Sequence, residues 1–185
     1  MAITVNINIS KAKVMEEVAK TTGYIGQKAV SGEDPAAYNR IAVIDANREQ
    51  LDRYWMEACS AMTTLLGHDL TDAESQVLPA SGTNNTNYRV KLRLPSNWNS
   101  ALRDALSEHV MSYLVNAISS RWLMMTQKAD AEPYAVLSGG SAGQVRTILL
   151  TRKRPTRRAA GGSGEETGLW VGTDLWIGQN AWIGQ

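Results

Sequence analysis

The segment from Asn97 to about Lys128 constrains this chain more than any other, because apolar residues recur through it at helical spacing without a break. Leu102, Leu106, Val110, Leu114, Ile118, Trp122 and Met125 fall every three or four positions and line one face of a 3.6-residue period. Ala105, Met111, Tyr113, Ala117 and Leu123 widen that face. A helix over this span is roughly 45 Å long at ~1.5 Å per residue. With apolar residues around much of its girth, it must be covered on more than one side by other helices or by other copies of the chain. It is expected to be the central helix of a bundle.

The preceding chain supplies candidates for that cover. Ile3, Val5, Ile7 and Ile9 alternate with Thr4, Asn6 and Asn8, the period-2 signature of a half-buried strand, short and at an edge. Ser10 can cap a helix over 11–22, with Val14 and Val18 inward and Gly23 as its stop. Gly26, Gly32 and Pro35 mark a loop, and residues 36–44 fit a helical turn or a strand. Asp45 is placed to cap a second helix, roughly 46–66, whose apolar stripe is Leu51, Trp55, Ala58, Met62 and Leu65 and which Gly67 ends. Residues 68–87 read as loop. Tyr88, Val90, Leu92 and Leu94 then alternate with Arg89, Lys91 and Arg93, which predicts a strand with a cationic outer face, closed by Pro95. Ser96 or Asn97 caps the central helix.

Beyond the central helix, Asp130 reads as the cap of a last helix, roughly 131–154, with Pro133 tolerated in its first turn. Gly139-Gly140 is expected to weaken or break it, and Pro155 ends it. The fold class expected is mainly α: a bundle of about four helices with two short β-strands and an extended C-terminal arm. Residues 1–158 form the body, the small-residue stretch 159–168 a flexible linker, and 169–185 a docking arm.

The arm is a repeat. Leu169-Trp170-Val171-Gly172-Thr173-Asp174, Leu175-Trp176-Ile177-Gly178-Gln179-Asn180 and Ala181-Trp182-Ile183-Gly184-Gln185 share a period of six and hold three of the chain's six tryptophans. Three indoles on a free tail are a solubility liability, so the tail is expected to dock, with Leu169, Trp170, Val171, Leu175, Trp176, Ile177, Trp182 and Ile183 as its contact set. Such a peptide can add to a sheet edge. The hexads also look like the left-handed β-helix repeat, although three make only one coil. An extended strand-like arm, a β-helix coil and a tail disordered until bound all remain open.

A net charge of +1 argues against a protein that holds nucleic acid or anionic membrane by bulk positive charge. Two local clusters stand out: Arg89, Lys91 and Arg93 on the second strand, and Arg152, Lys153, Arg154, Arg157 and Arg158 across the last helix terminus. Each reads either as a solvated face or helix end, or as contact with DNA or an acidic partner. Met1 to Ser10 lack the basic start and long apolar run of a signal peptide, and no window reaches the ~18 apolar residues of a spanning helix, so synthesis in the cytoplasm is expected.

Catalytic readings fail on the residues. Gly139-Gly140-Ser141-Ala142-Gly143 matches the G-x-S-x-G elbow, but that fold needs a histidine after the serine. His68 and His109, the only histidines, both precede it. Neither has a partner at metal-ligand spacing. Cys59, the only cysteine, lies on an apolar helix face and reads as a buried inert thiol. No enzyme, metal site or cofactor is expected.

The segments Lys13-Val-Met-Glu-Glu-Val-Ala-Lys-Thr-Thr22, Asp45 to Ser60 with its core Asn-Arg-Glu-Gln-Leu-Asp-Arg-Tyr-Trp-Met-Glu-Ala-Cys, and Arg152-Lys-Arg-Pro-Thr-Arg157 resemble a family of small proteins from structural gene clusters of tailed phages and prophages of gut bacteria. The likeness covers most of residues 10–158. In size and helical content that family is similar to the head–tail connector, or adaptor, proteins. These assemble as a ring, commonly of twelve copies, beneath the portal and send a C-terminal arm into it. The resemblance implies a non-enzymatic virion protein of the neck, made in the host cytoplasm, whose partners are its own copies, the portal, and tail or other neck proteins. Packaged DNA would be a non-specific contact. A tail terminator or other tail-end ring component, richer in strand, and a nucleic-acid-binding accessory protein are the alternatives.

Overall fold

The structure, a computed structural model, describes residues 2–30, 37–43, 47–71 and 87–153, together with the backbone of 169–171 and 175–177. The chain divides into two compact units, Met1–Lys153 and Arg154–Gln185. The first is mainly helical: β1 (Ala2–Ser10), α1 (Lys11–Val30), α2 (Ala37–Ile41), α3 (Arg48–Leu66), β2 (Asn87–Pro95), a 3-10 turn at Ser100–Leu102, α4 (Arg103–Thr126) and α5 (Lys128–Leu150). The second contains β3 (Leu169–Val171) and β4 (Leu175–Ile177).

Both strands of the body form where the alternation places them, and they pair with each other, antiparallel and in continuous register from Ala2 opposite Pro95 to Ser10 opposite Asn87. Val5, Ile7 and Ile9 of β1 and Tyr88, Val90, Leu92 and Leu94 of β2 are buried on one face of this sheet. At ~25 cal/mol per Å² of apolar surface removed from water, a row of aliphatic side chains like this dominates the energetics of a two-stranded sheet, whose backbone bonds alone hold it only marginally.

The central helix is α4, shorter than the sequence pattern suggests. A 3-10 turn precedes it, with the Asn99 side chain accepting from the Ala101 N–H. Trp98, expected within the helix, instead lies ahead of it and is wholly buried, its indole N–H donating to the Ile148 carbonyl at 2.9 Å. Leu106, Val110, Leu114, Ala117, Ile118, Trp122 and Leu123 are buried as the periodicity requires. Met125, expected on the same stripe, is 58% exposed one residue before the helix ends, with the Tyr54 hydroxyl donating to its sulfur at 3.1 Å. The cover that α4 needs comes from its own chain: α1, α3, α5, the short α2 and β1 all pack on it.

The first and last helices differ from expectation in their bounds, and the open segment between them resolves. The first helix does not stop at Gly23 but runs to Val30, with Gly26 packed under α2, where a Cβ would come to 3.2 Å from the Tyr38 ring and 3.3 Å from its backbone. The open segment 36–44 contains the short helix α2, anchored where the Trp122 indole donates to the Ile41 carbonyl at 2.6 Å. The last helix begins at Lys128 and passes through Gly139-Gly140 unbroken. Gln127, extended at φ −153°, ψ 84°, is all that separates it from α4. Packing against α4 over its length offsets the ~1 kcal/mol that each interior glycine costs relative to alanine. The Asp45 cap lies outside the described residues, and Asn47 precedes α3 without a side-chain cap.

Candidate functional site

The sheet's outer face gathers the clearest polar surface. The register sets Arg93 beside Thr4, Lys91 beside Asn6 and Arg89 beside Asn8, so β1 contributes a row of exposed amides and a hydroxyl to the cationic row of β2. Sequence reasoning named the β2 residues and missed Thr4, Asn6 and Asn8. The signal was present, since the polar phase of an alternating strand faces outward, but its partner strand lies some eighty positions away. A third segment flanks β2. Leu70 bridges to Leu92, the Thr71 N–H donates to the Lys91 carbonyl at 3.3 Å, and the Arg93 N–H donates to the Asp69 carbonyl at 2.7 Å. That register also brings Asp69 opposite Arg93, so the cationic row is partly balanced at that end.

The basic run at the end of α5 behaves differently. Arg152 is half-buried and its guanidinium donates to the Leu149 carbonyl at 2.6 Å, closing one of the helix's free C-terminal carbonyls. Lys153 is exposed, and its N–H donates to the Asn97 carbonyl at 2.7 Å. With the Trp98–Arg152 bridge, this ties the end of the body to the Pro95 end of β2, so the two basic clusters start from one corner of the fold. Arg154, Arg157 and Arg158 lie outside the described residues.

The arm's first two hexads form a hairpin: β3 and β4 pair antiparallel, Leu169 with Ile177, Trp170 with Trp176 and Val171 with Leu175. Of these pairs only Trp170 and Trp176 are equivalent positions of the two hexads. Antiparallel pairing of successive hexads is not the parallel stacking of a β-helix coil. Trp182 and Ile183 lie outside the described residues.

The remaining sequence candidates resolve into structure. Ser141 sits inside α5, without the strand-to-helix turn of a nucleophile elbow. Cys59 is buried in the core, and burial pushes its thiol up to about 12 against a smaller opposing pull from Lys11. Burial likewise raises the Tyr88 hydroxyl, which shares a hydrogen bond with Thr63 at 3.1 Å. Among the described residues there is no group of His, Cys, Asp or Glu arranged to hold a metal, and no helix long and apolar enough to cross a membrane. A cavity of about 300 Å³ at the Ser10–Asn87 end of the sheet is lined by Asn8, Ile9, Lys13 and Met111 besides those two, with neither a carboxylate nor a nucleophilic thiol.

Comparison with protein-family models, with curated proteins and with solved structures finds no match to this chain.

Proposed function

We propose that this chain is a non-enzymatic structural protein of a phage virion, a head–tail connector that forms a ring, of about twelve copies, at the neck between portal and tail. The observation that carries the reading is the division of the chain into a mainly helical body and a separate short Trp-bearing hairpin, joined by a stretch of small residues. That plan suits a protein whose body packs into a ring and whose arm engages a neighbour or the portal. In this reading the sheet face with Arg89, Lys91 and Arg93, or the run from Arg152, looks toward the DNA channel or an acidic partner ring. Mass spectrometry of purified virions, followed by imaging of the neck, tests it: the protein is expected in ring stoichiometry with the portal. A monodisperse monomer that binds no portal or tail protein and is absent from virions refutes it.

The cationic sheet face supports one other reading, a nucleic-acid-binding accessory protein. There, DNA affinity falls steeply with salt, by a slope of about 0.9 per phosphate contact, and survives deletion of residues 169–185. The connector reading predicts the reverse: negligible DNA affinity, and assembly lost with the arm.

A further inference from the structure

We propose that the open edge of β1 receives the β3–β4 hairpin of a second copy of this chain by strand addition. The choice of a second copy rests on the ring reading above.

Backbone polarity identifies the edge. Along a strand, the N–H and C=O of one residue point to the same side, and successive residues alternate. The Lys91 carbonyl and the Arg93 N–H bond to Thr71 and Asp69, so these two residues point away from β1. Val90, Leu92 and Leu94 therefore point toward it and bond with Ile7, Val5 and Ile3. It follows that Thr4, Asn6 and Asn8 turn their backbone groups outward, where no backbone bond meets them among the described residues. Sheet edges are normally blunted by lysine, proline, a bulge or a covering segment. Residues Asp69–Thr71 cover the far edge of β2, whereas β1 runs nine residues in unbroken register with no charge and no proline.

The hairpin fits that edge in three respects. With three residues per strand, β3 and β4 form a sheet too small to hold on its own, and a third strand supplies what it lacks. The arm from Leu169 to Gln185 carries no Lys, Arg or Glu and a single Asp, so pairing brings no like charges together. The body itself ends near the start of β1, since Lys153 is bonded to Asn97, close after Pro95, which pairs with Ala2. Residues 154–168 span up to about 50 Å when extended, while a body of this length has a radius of gyration of about 15 Å, so the arm reaches a copy packed alongside. Hairpin to edge joins two different patches. Such a heterologous contact can close a ring, which a β1-to-β1 contact cannot.

Hydrogen exchange of the full-length protein, resolved to single amides at low and high protein concentration, tests the proposal. The Thr4, Asn6 and Asn8 amides are expected to exchange about tenfold more slowly in the concentrated sample, with Val5 and Ile7 protected in both. Removal of residues 169–185 is expected to abolish the difference. Asn6→Pro deletes only an outward N–H and is expected to move the self-association midpoint about tenfold higher. Should that variant lose helicity, Asn6→Lys charges the edge with the backbone intact and is expected to act in the same direction. Assembly with those three amides exchanging freely overturns the proposal and leaves the ring reading standing. Protection that survives loss of the arm means another strand occupies the edge, and protection in a monomer at every concentration means the chain's own arm does; both overturn it. A free-exchanging monomer that is also absent from virions removes the ring reading as well.

Discussion

Trp98→Phe isolates a contact that joins the end of α5 to the sheet. The side chain is wholly buried and its N–H donates to the Ile148 carbonyl at 2.9 Å. Phenylalanine forfeits that bond, worth about 1 kcal/mol net. The carbonyl itself is not orphaned, because the Thr151 N–H also donates to it at 3.2 Å. The ring is about 40 Å³ smaller than indole, which at about 24 cal/mol per Å³ of residual cavity adds about 1 kcal/mol. The total of about 2 kcal/mol corresponds to a Tm lower by about 4–8 °C for a domain of this size. Denaturant unfolding followed by circular dichroism at 222 nm checks it, with an unchanged m-value expected, since the native fold and the surface exposed on unfolding are the same. Because Trp98 bridges to Arg152, exchange of the Lys153 amide is expected to quicken too. A loss of less than about 0.5 kcal/mol, the range of ordinary surface substitutions, refutes the assignment of Trp98 as a buried anchor.

Four further perturbations follow from single atoms. The Ser119 hydroxyl is buried without a hydrogen-bond partner, so Ser119→Ala is expected to leave stability unchanged or raise it by up to about 1 kcal/mol in the same denaturant assay. Gly26→Ala brings a Cβ to 3.2 Å from the Tyr38 ring and 3.3 Å from its backbone, which offsets the helix-propensity gain, whereas Gly140→Ala enters open space in an established helix and is expected to gain about 0.5–1 kcal/mol, so Gly26→Ala is expected to be the less stable of the two variants. The Cys59 thiol, raised to about 12 from about 9, stays protonated in the native state while the unfolded chain gives up its proton above about pH 9. Its contribution is complete below pH 9 and falls away as pH rises toward 12, and thiol-reagent labelling at pH 8 is expected only on unfolding.

The strands were legible in the sequence because a period of two survives wherever one face is buried and the other wet, as Val5, Ile7 and Ile9 against Thr4, Asn6 and Asn8 show. The stripe of α4 was legible for the same reason at a different period. Helix ends were not, because tertiary contacts set them: Gly26 looked like a loop residue and is a packing residue, and Gly139-Gly140 looked like a break and lies in a helix packed against α4. At the candidate site, Arg89, Lys91 and Arg93 could be read from one strand alone. Their juxtaposition with β1, the cover that Asp69–Thr71 gives to β2, and the conversion of a hexad repeat into hairpin register are pairings between distant or successive segments. Nothing in local propensity specifies them.

The girth of α4 calls for cover by other helices or by other copies of the chain, and α1, α3, α5 and β1 supply it. In the proposed ring the surfaces for assembly lie elsewhere, which separates folding from docking. Leu106 is wholly buried under that cover, and Leu106→Asp places a carboxylate there without a counter-charge. That costs several kcal/mol, on the scale of the 5–15 kcal/mol that holds a typical domain together. Loss of helical circular dichroism is therefore expected at any protein concentration. Trp176 belongs to the separate unit that holds β3 and β4, so Trp176→Ala is expected to leave the body's helicity and denaturant midpoint within about 0.5 kcal/mol of wild type. What it is expected to lose is self-association in sedimentation. If Trp176→Ala unfolds the body, the two units are not independent; if it assembles as wild type does, the tryptophan repeat is not what docks.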